Sequence, residues 1–174
     1  MAKLTDVEGC ALGVVWQRGP CTAYEVRREF AISSTPRWSA SAGSIYPALQ
    51  RLQRKKLVRA EASDWGPREK TRFRITPAGR AHLRQWIGPP FARALCGPAF
   101  APLRTRSCFL GAMPRAARVA WAREATRETR AALAELRRVH AVPSSDVFEA
   151  ASLRGSILEL ESRLVWLGEL VRLV

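Results

Sequence analysis

Apolar positions in the first half of the chain recur with two different periods, and the change of period marks out the elements. Val7, Ala11, Val14 and Val15 fall on one side of a 3.6-residue helix, preceded by the capping-box pattern Thr5-Asp-Val-Glu8. Gly19-Pro20 cannot continue that helix, so its end is predicted near Arg18. Thr22-Ala-Tyr-Glu25 repeats the pattern and opens a second helix to about Phe30, with Val26 and Phe30 inward. Residues 31–40 read as a connecting loop. A third helix is predicted to begin between Ser41 and Ser44, with Ser44 as its effective cap. Taking Ile45 as reference, Leu49 and Leu52 lie within about 40° of it around the helix. Gly43, Pro47, Gln50 and Arg54 then point the other way, with Arg51 beside them. Pro47 is tolerated in a first turn, where its missing N–H has no intrahelical partner.

Beyond residue 56 the period drops to two. Residues 57–62 and 71–75 alternate as strands do, and the turn-rich segment between them carries Arg68 and Lys70 at its tip. Thr76-Pro77 then opens a fourth helix to about Ile87. The predicted order α-α-α-β-β-α is that of a winged helix-turn-helix.

Four Pro and two Gly within residues 88–102 mark a boundary. The predicted organisation is a winged domain over 1–88, a linker over 89–102 and a helical domain over 103–174. In the last, a short helix is predicted from Leu103 to Leu110. A long one runs from Pro114 to about Val139, with Trp121, Leu133, Leu136 and Val139 on its apolar side. Ser144 or Ser145 is the predicted cap of the final helix. There Leu153, Ile157, Leu160, Leu164, Leu167, Val171 and Val174 follow one another at 4-3-4-3-4-3 spacing. Leu158, Val165, Trp166 and Leu170 widen that stripe. So apolar a helix needs more than one packing partner, and with only two long helices present the second is predicted to be another copy of the chain. Leu153, Ile157, Leu160, Leu164, Leu167 and Val171 are thus the predicted dimer interface. The fold class is mainly α: a winged helix-turn-helix followed by a helical dimerisation domain.

Charge sharpens this picture. The formal net charge is +14, of which residues 1–88 carry +9 and residues 89–174 carry +5. Only four of the 29 basic residues are Lys, so a bias toward Arg contributes, but it does not explain why acids number only 15. Such a surplus suits an anionic partner, and its concentration in the winged half suits double-stranded DNA. The groove admits one helix, whose N-terminal residues meet base edges first; here those are Ser41, Gly43, Ser44, Tyr46 and Pro47. Gln50, Arg51 and Arg54 follow, the two arginines placed to hold phosphates. Arg68, Lys70 and Arg72 of the wing suit the minor groove or its phosphates. The N-termini of the first two helices add N–H groups suited to phosphate.

Other chemistries fit poorly. His82 and His140 both sit late in predicted helices beside Arg, with no Gly-rich phosphate loop or carboxylate cluster near them, so catalysis is not expected. Cys10, Cys21, Cys96 and Cys108 form no C-x-x-C pair, so neither a zinc site nor any other cofactor is expected. Without a signal-peptide pattern or an apolar run of membrane length, a cytoplasmic protein with free thiols and no membrane partner is predicted. Cys96 or Cys108 as an oxidation sensor is the weaker reading, inert thiols the stronger. The competing function is a winged-helix interaction module that does not bind DNA sequence-specifically.

The run Gly43-Ser-Ile-Tyr-Pro-Ala-Leu-Gln-Arg-Leu52, followed by Lys56-Leu-Val58, Trp65 and Thr71-Arg-Phe-Arg-Ile-Thr-Pro-Ala-Gly79, resembles the PadR family of bacterial transcriptional regulators. Ser44, Ile45 and Phe73 are conservative departures from that pattern, whereas Lys55-Lys56 replaces a frequent acidic residue and Gly. Ala151-Ser-Leu-Arg-Gly155 and Glu161-Ser-Arg-Leu-Val-Trp-Leu167 resemble the last helix of the longer PadR subfamily. The resemblance implies a homodimer on a palindromic operator, acting as a repressor and in some relatives relieved by a small aromatic effector. Phe109, Trp121 and Trp166 are the candidates for lining such an effector pocket, although aromatics on apolar stripes are usually core.

Overall fold

The computed structural model describes residues 3–31, 42–63, 70–98, 101–141 and 146–174. It divides into two compact units, Met1–Gly97 and Pro98–Val174, separating within the Pro- and Gly-rich segment. The first unit contains α1 (Asp6–Arg18), β1 (Cys21–Thr22), α2 (Ala23–Ala31), a 3-10 turn (Ala42–Ser44), α3 (Ile45–Arg54), β2 (Val58–Ser63), β3 (Lys70–Ile75) and α4 (Pro77–Ile87). A short helix, α5 (Arg93–Cys96), lies where only a linker was expected.

Both capping boxes form. Thr5 N–H donates to Glu8 Oε2 at 3.1 Å while Glu8 N–H donates to Thr5 Oγ1 at 3.2 Å. Thr22 and Glu25 exchange the same pair of bonds. Ser44 departs from expectation: it already has helical dihedrals and its hydroxyl makes no capping bond. The 3-10 turn before it leads the chain into α3 instead. β1 was not anticipated, because two residues are too few to show alternation. It pairs antiparallel with β3, giving sheet order β1-β3-β2 with Cys21 opposite Phe73 and Val58 opposite Ile75. Phe73 and Ile75 point inward and join Leu12, Val15, Val26, Phe30, Ile45, Leu49, Leu52 and Leu83 in one core. Cys10 and Cys21 are buried with them, and burial pushes their thiols up to about 12 and about 11. Cys96 and Cys108 are exposed.

The turn from α3 into β2 is a Schellman motif, with Leu57 N–H bonded to Leu52 O and Lys56 N–H to Gln53 O. Lys56 occupies its left-handed position at φ 58°, where a Cβ is strained. We expect Lys56→Gly to raise stability by roughly 0.5–1 kcal/mol, read as a higher urea midpoint at unchanged slope.

The second unit contains α6 (Pro102–Ser107), a 3-10 turn (Leu110–Ala112), α7 (Arg115–His140) and α8 (Val147–Leu173). Asp146 caps α8, accepting from Phe148 and Glu149 N–H at 2.8 and 3.2 Å; the expected caps Ser144 and Ser145 lie outside the described residues. Arg115 reaches the Val174 carbonyl and Arg137 pairs with Glu161, so α7 and α8 run antiparallel.

This hairpin engages part of the expected dimer seam within the chain. Ile157 is buried against Leu133 and Leu136 of α7, with Leu153, Leu160 and Leu164 packed around them. Leu167 is fully buried as well, whereas Val171, which lines a cleft beside α7, is 44% exposed. Small side chains on α7, Ala122 and Ala125, are buried and permit close approach. A 4-3 stripe finds the nearest apolar stripe, and here the chain supplies one itself. Among the described residues no helix is long and apolar enough to cross a membrane, and no cluster of metal-ligating side chains occurs.

Candidate nucleic-acid interface

Three inward residues, Ile45, Leu49 and Leu52, anchor α3 against α1 and α2, and this fixes what the helix turns outward. Gly43, Ser44, Tyr46, Pro47, Gln50 and Arg54 are all exposed, as expected. Gln53 joins them; its position at the edge of the polar arc concealed it in the sequence. Among the described residues nothing lies within 4 Å of a Cβ built on Gly43. The face contains no carboxylate. Ser41 and Arg68 lie outside the described residues, as does the side chain of Lys70.

Two expected contacts are placed differently. Arg51 lies on the flank of α3 facing α1, and its Nε donates to Glu8 Oε1 at 2.8 Å. Lys55, one turn further, donates to Glu8 Oε2 at 3.0 Å. Arg51 is therefore a partner of Glu8, not simply an outward phosphate anchor. Glu8 is 1% exposed. Burial raises its carboxyl, but hydrogen bonds from Arg51, Lys55 and Thr5 N–H outweigh that, and the net position is below the ordinary value of 4.5. Its pairing therefore contributes stability in full above that value and loses it as the pH falls through the lower folded one. Sequence reasoning saw Glu8 only as a cap. The available signal was its place on the stripe of Leu12 and Val15, where a carboxylate must find partners.

Arg72 is the second. It sits in the middle of β3, opposite Thr22 and Glu61, and donates to the Pro20 carbonyl at 3.0 Å. It braces the junction of α1 and β1 away from the tip of the wing. On the same outer face of the sheet, Glu61 lies between Arg59 and Arg74, which hold its carboxyl below the ordinary range, Arg74 foremost. At the N-termini of α1 and α2, Glu8 and Glu25 accept from the Thr5 and Thr22 N–H groups.

In the second unit Phe109 is 70% exposed, while Trp121 and Trp166 are half-buried on α7 and α8. A cleft of about 330 Å³ opens there, but Arg123, Thr126, Arg127, Arg130 and Val171 line it and none of the three aromatics does.

Comparison with known proteins agrees with this geometry. Residues 11–85 match the transcriptional regulator PadR-like family. No curated protein sequence matches the chain. The fold is that of Bacillus subtilis PadR solved with operator DNA: TM-score 0.83 at 18% identity, over 99% of this chain and 100% of that one. The same protein solved with p-coumaric acid gives 0.74 at 15% identity, over 98% and 97%. The Vibrio cholerae virulence activator AphA gives 0.72 at 19% identity, over 96% of each chain.

Proposed function

We propose that this chain, which carries a PadR-like transcriptional-regulator domain over residues 11–85, binds double-stranded DNA sequence-specifically through the outward face of α3. The observation that carries the reading is that face: polar, free of carboxylates, clear around Gly43 among the described residues and backed by a core that fixes its rotation. Ser44, Tyr46, Gln50 and Gln53 supply donors and acceptors for base edges and sugar, and Arg54 a cation for phosphate. Ser41, Arg68 and Lys70 extend this surface at the helix start and the wing. DNA work of this kind belongs in the cytoplasm and requires no catalysis.

The regulator we propose is a homodimer on a palindromic operator. With Ile157 and Leu167 buried against α7, the proposed second copy meets the surface of α8 that remains exposed. Val147, Leu158 and Val165 are 69%, 49% and 65% exposed, and their spacings of 11 and 7 place them within about 20° of one another. A dimer seated on its operator blocks the same DNA to other proteins, so repression is the proposed mode; AphA is described as an activator, and the fold serves that mode too. A small aromatic effector bound in the second unit is proposed by analogy with p-coumaric acid in Bacillus subtilis PadR.

Selection of bound duplexes from a random pool tests this reading. The expected product is a two-fold motif whose half-sites lie about one helical turn apart. Recovery of unenriched sequence would overturn it.

A further inference from the structure

A capping carboxylate ordinarily faces water, whereas Glu8 is sealed between α1 and α3. Both of its oxygens are engaged: Oε1 by Arg51 Nε at 2.8 Å, Oε2 by Lys55 Nζ at 3.0 Å and by Thr5 N–H at 3.1 Å. Arg51 and Lys55 stand one turn apart on α3, rotated about 80° and 120° from the Gln50–Arg54 face. Their side chains remain 40% and 32% exposed, so the cations border the DNA-facing surface without belonging to it.

We propose that Glu8 is the positioning residue of the DNA-facing helix, clamping Arg51 and Lys55 so that α3 keeps its rotation on α1 and both cations are withheld from phosphate. The proposal rests on the reading of α3 given above. A buried carboxylate persists only where its charge is compensated, and here the compensating pair comes from one helix, so rotating α3 would break both bonds together. The cluster carries one positive charge in place of two. Cations free to swing onto phosphates strengthen binding to every sequence alike, whereas base edges discriminate. Holding these two back therefore favours discrimination over bulk affinity.

The test uses the full chain and salt titrations against a random duplex and the selected operator. Glu8→Gln keeps the shape and removes the charge. With its helix content confirmed, the log–log salt slope on random duplex is expected to steepen by about one to two, since each added phosphate contact contributes about 0.9. Preference for the operator falls with it. Lys55→Gln leaves Glu8 paired with Arg51, needs no unpaired carboxylate to fold, and is expected to keep the wild-type slope. An unchanged slope in folded Glu8→Gln, or a slope shallower by about 0.9 in Lys55→Gln, overturns the proposal. A DNA-free readout separates the clamp from the function. The Arg51 Nε–H resonance, assigned by its loss in Arg51→Lys, is expected to resist solvent exchange in the wild type and not in Glu8→Gln. Rapid exchange in the wild type overturns the clamp whatever the DNA result. A wild-type chain that binds no duplex overturns the functional reading and the withholding role together, a failure the wild-type titration identifies by itself.

Discussion

Gly79→Ala is expected to destabilise the first unit by about 3 kcal/mol or more, lowering its melting temperature by at least about 12 °C at roughly 4–8 °C per kcal/mol for a domain this size. The cause is backbone packing. A Cβ on Gly79 would collide with the Leu57 carbonyl oxygen and lie 2.8 Å from Ile75 Cγ1 and 3.0 Å from the Leu57 carbonyl carbon. That oxygen cannot move aside, because Thr76 N–H and Thr76 Oγ1 donate to it at 3.0 and 3.1 Å. Leu57 is itself tied by its N–H to Leu52 O, in the turn that leads out of α3. Relieving the overlap therefore means breaking the joint between α3, β2 and α4, adding about 1 kcal/mol per lost hydrogen bond to the overpacking. Gly43→Ala is the control: with nothing near its Cβ, the melting temperature should stay put. A Gly79→Ala chain that melts with the wild type would show that the crossing at Leu57 is looser than described.

Ile157→Asp is expected to melt the α7–α8 hairpin. The side chain is buried among Leu133, Leu136, Leu153, Leu160 and Leu164. Losing it removes roughly 2–5 kcal/mol of packing, and stranding a carboxylate there adds several more, together comparable to a domain's whole stability. Circular dichroism should show a large loss of helix, and trypsin should cut at Arg123, Arg127 and Arg130. Val165→Asp alters an exposed position and should keep full helix content. In the proposed dimer it should shift sedimentation toward the monomer. If Ile157→Asp kept its helices and merely dissociated, the seam would lie between chains and the hairpin packing would be wrong.

What the sequence revealed depended on the range of the interaction. The capping boxes at Thr5 and Thr22, the inward triad Ile45, Leu49 and Leu52, and the cap at Thr76 are set by neighbours within a turn, and all were legible. The 4-3 repeat from Leu153 likewise identified an apolar stripe. It could not name the partner, because one stripe packs equally well on α7 or on a second copy; the choice rests on Leu133, Leu136 and the small Ala122 and Ala125. The exposure of the candidate residues on α3 was legible, and the intrachain partners of Arg51 and Arg72 were not. Glu8 and Arg51 are 43 residues apart, and nothing local predicts that a cap and a basic flank meet. Arg72 alternates correctly on β3, but its bond to Pro20 depends on the unforeseen β1.

The central claim is that the outward face of α3 holds DNA, and titrating a short random duplex with the full chain at about 50 and 200 mM salt tests it most directly. With six or more phosphates neutralised, affinity should fall on the order of a thousandfold between the two, and Arg54→Gln should lower the log–log slope by about 0.9. A flat response, unchanged in Arg54→Gln, would contradict the account and leave a winged-helix module that works through protein contacts.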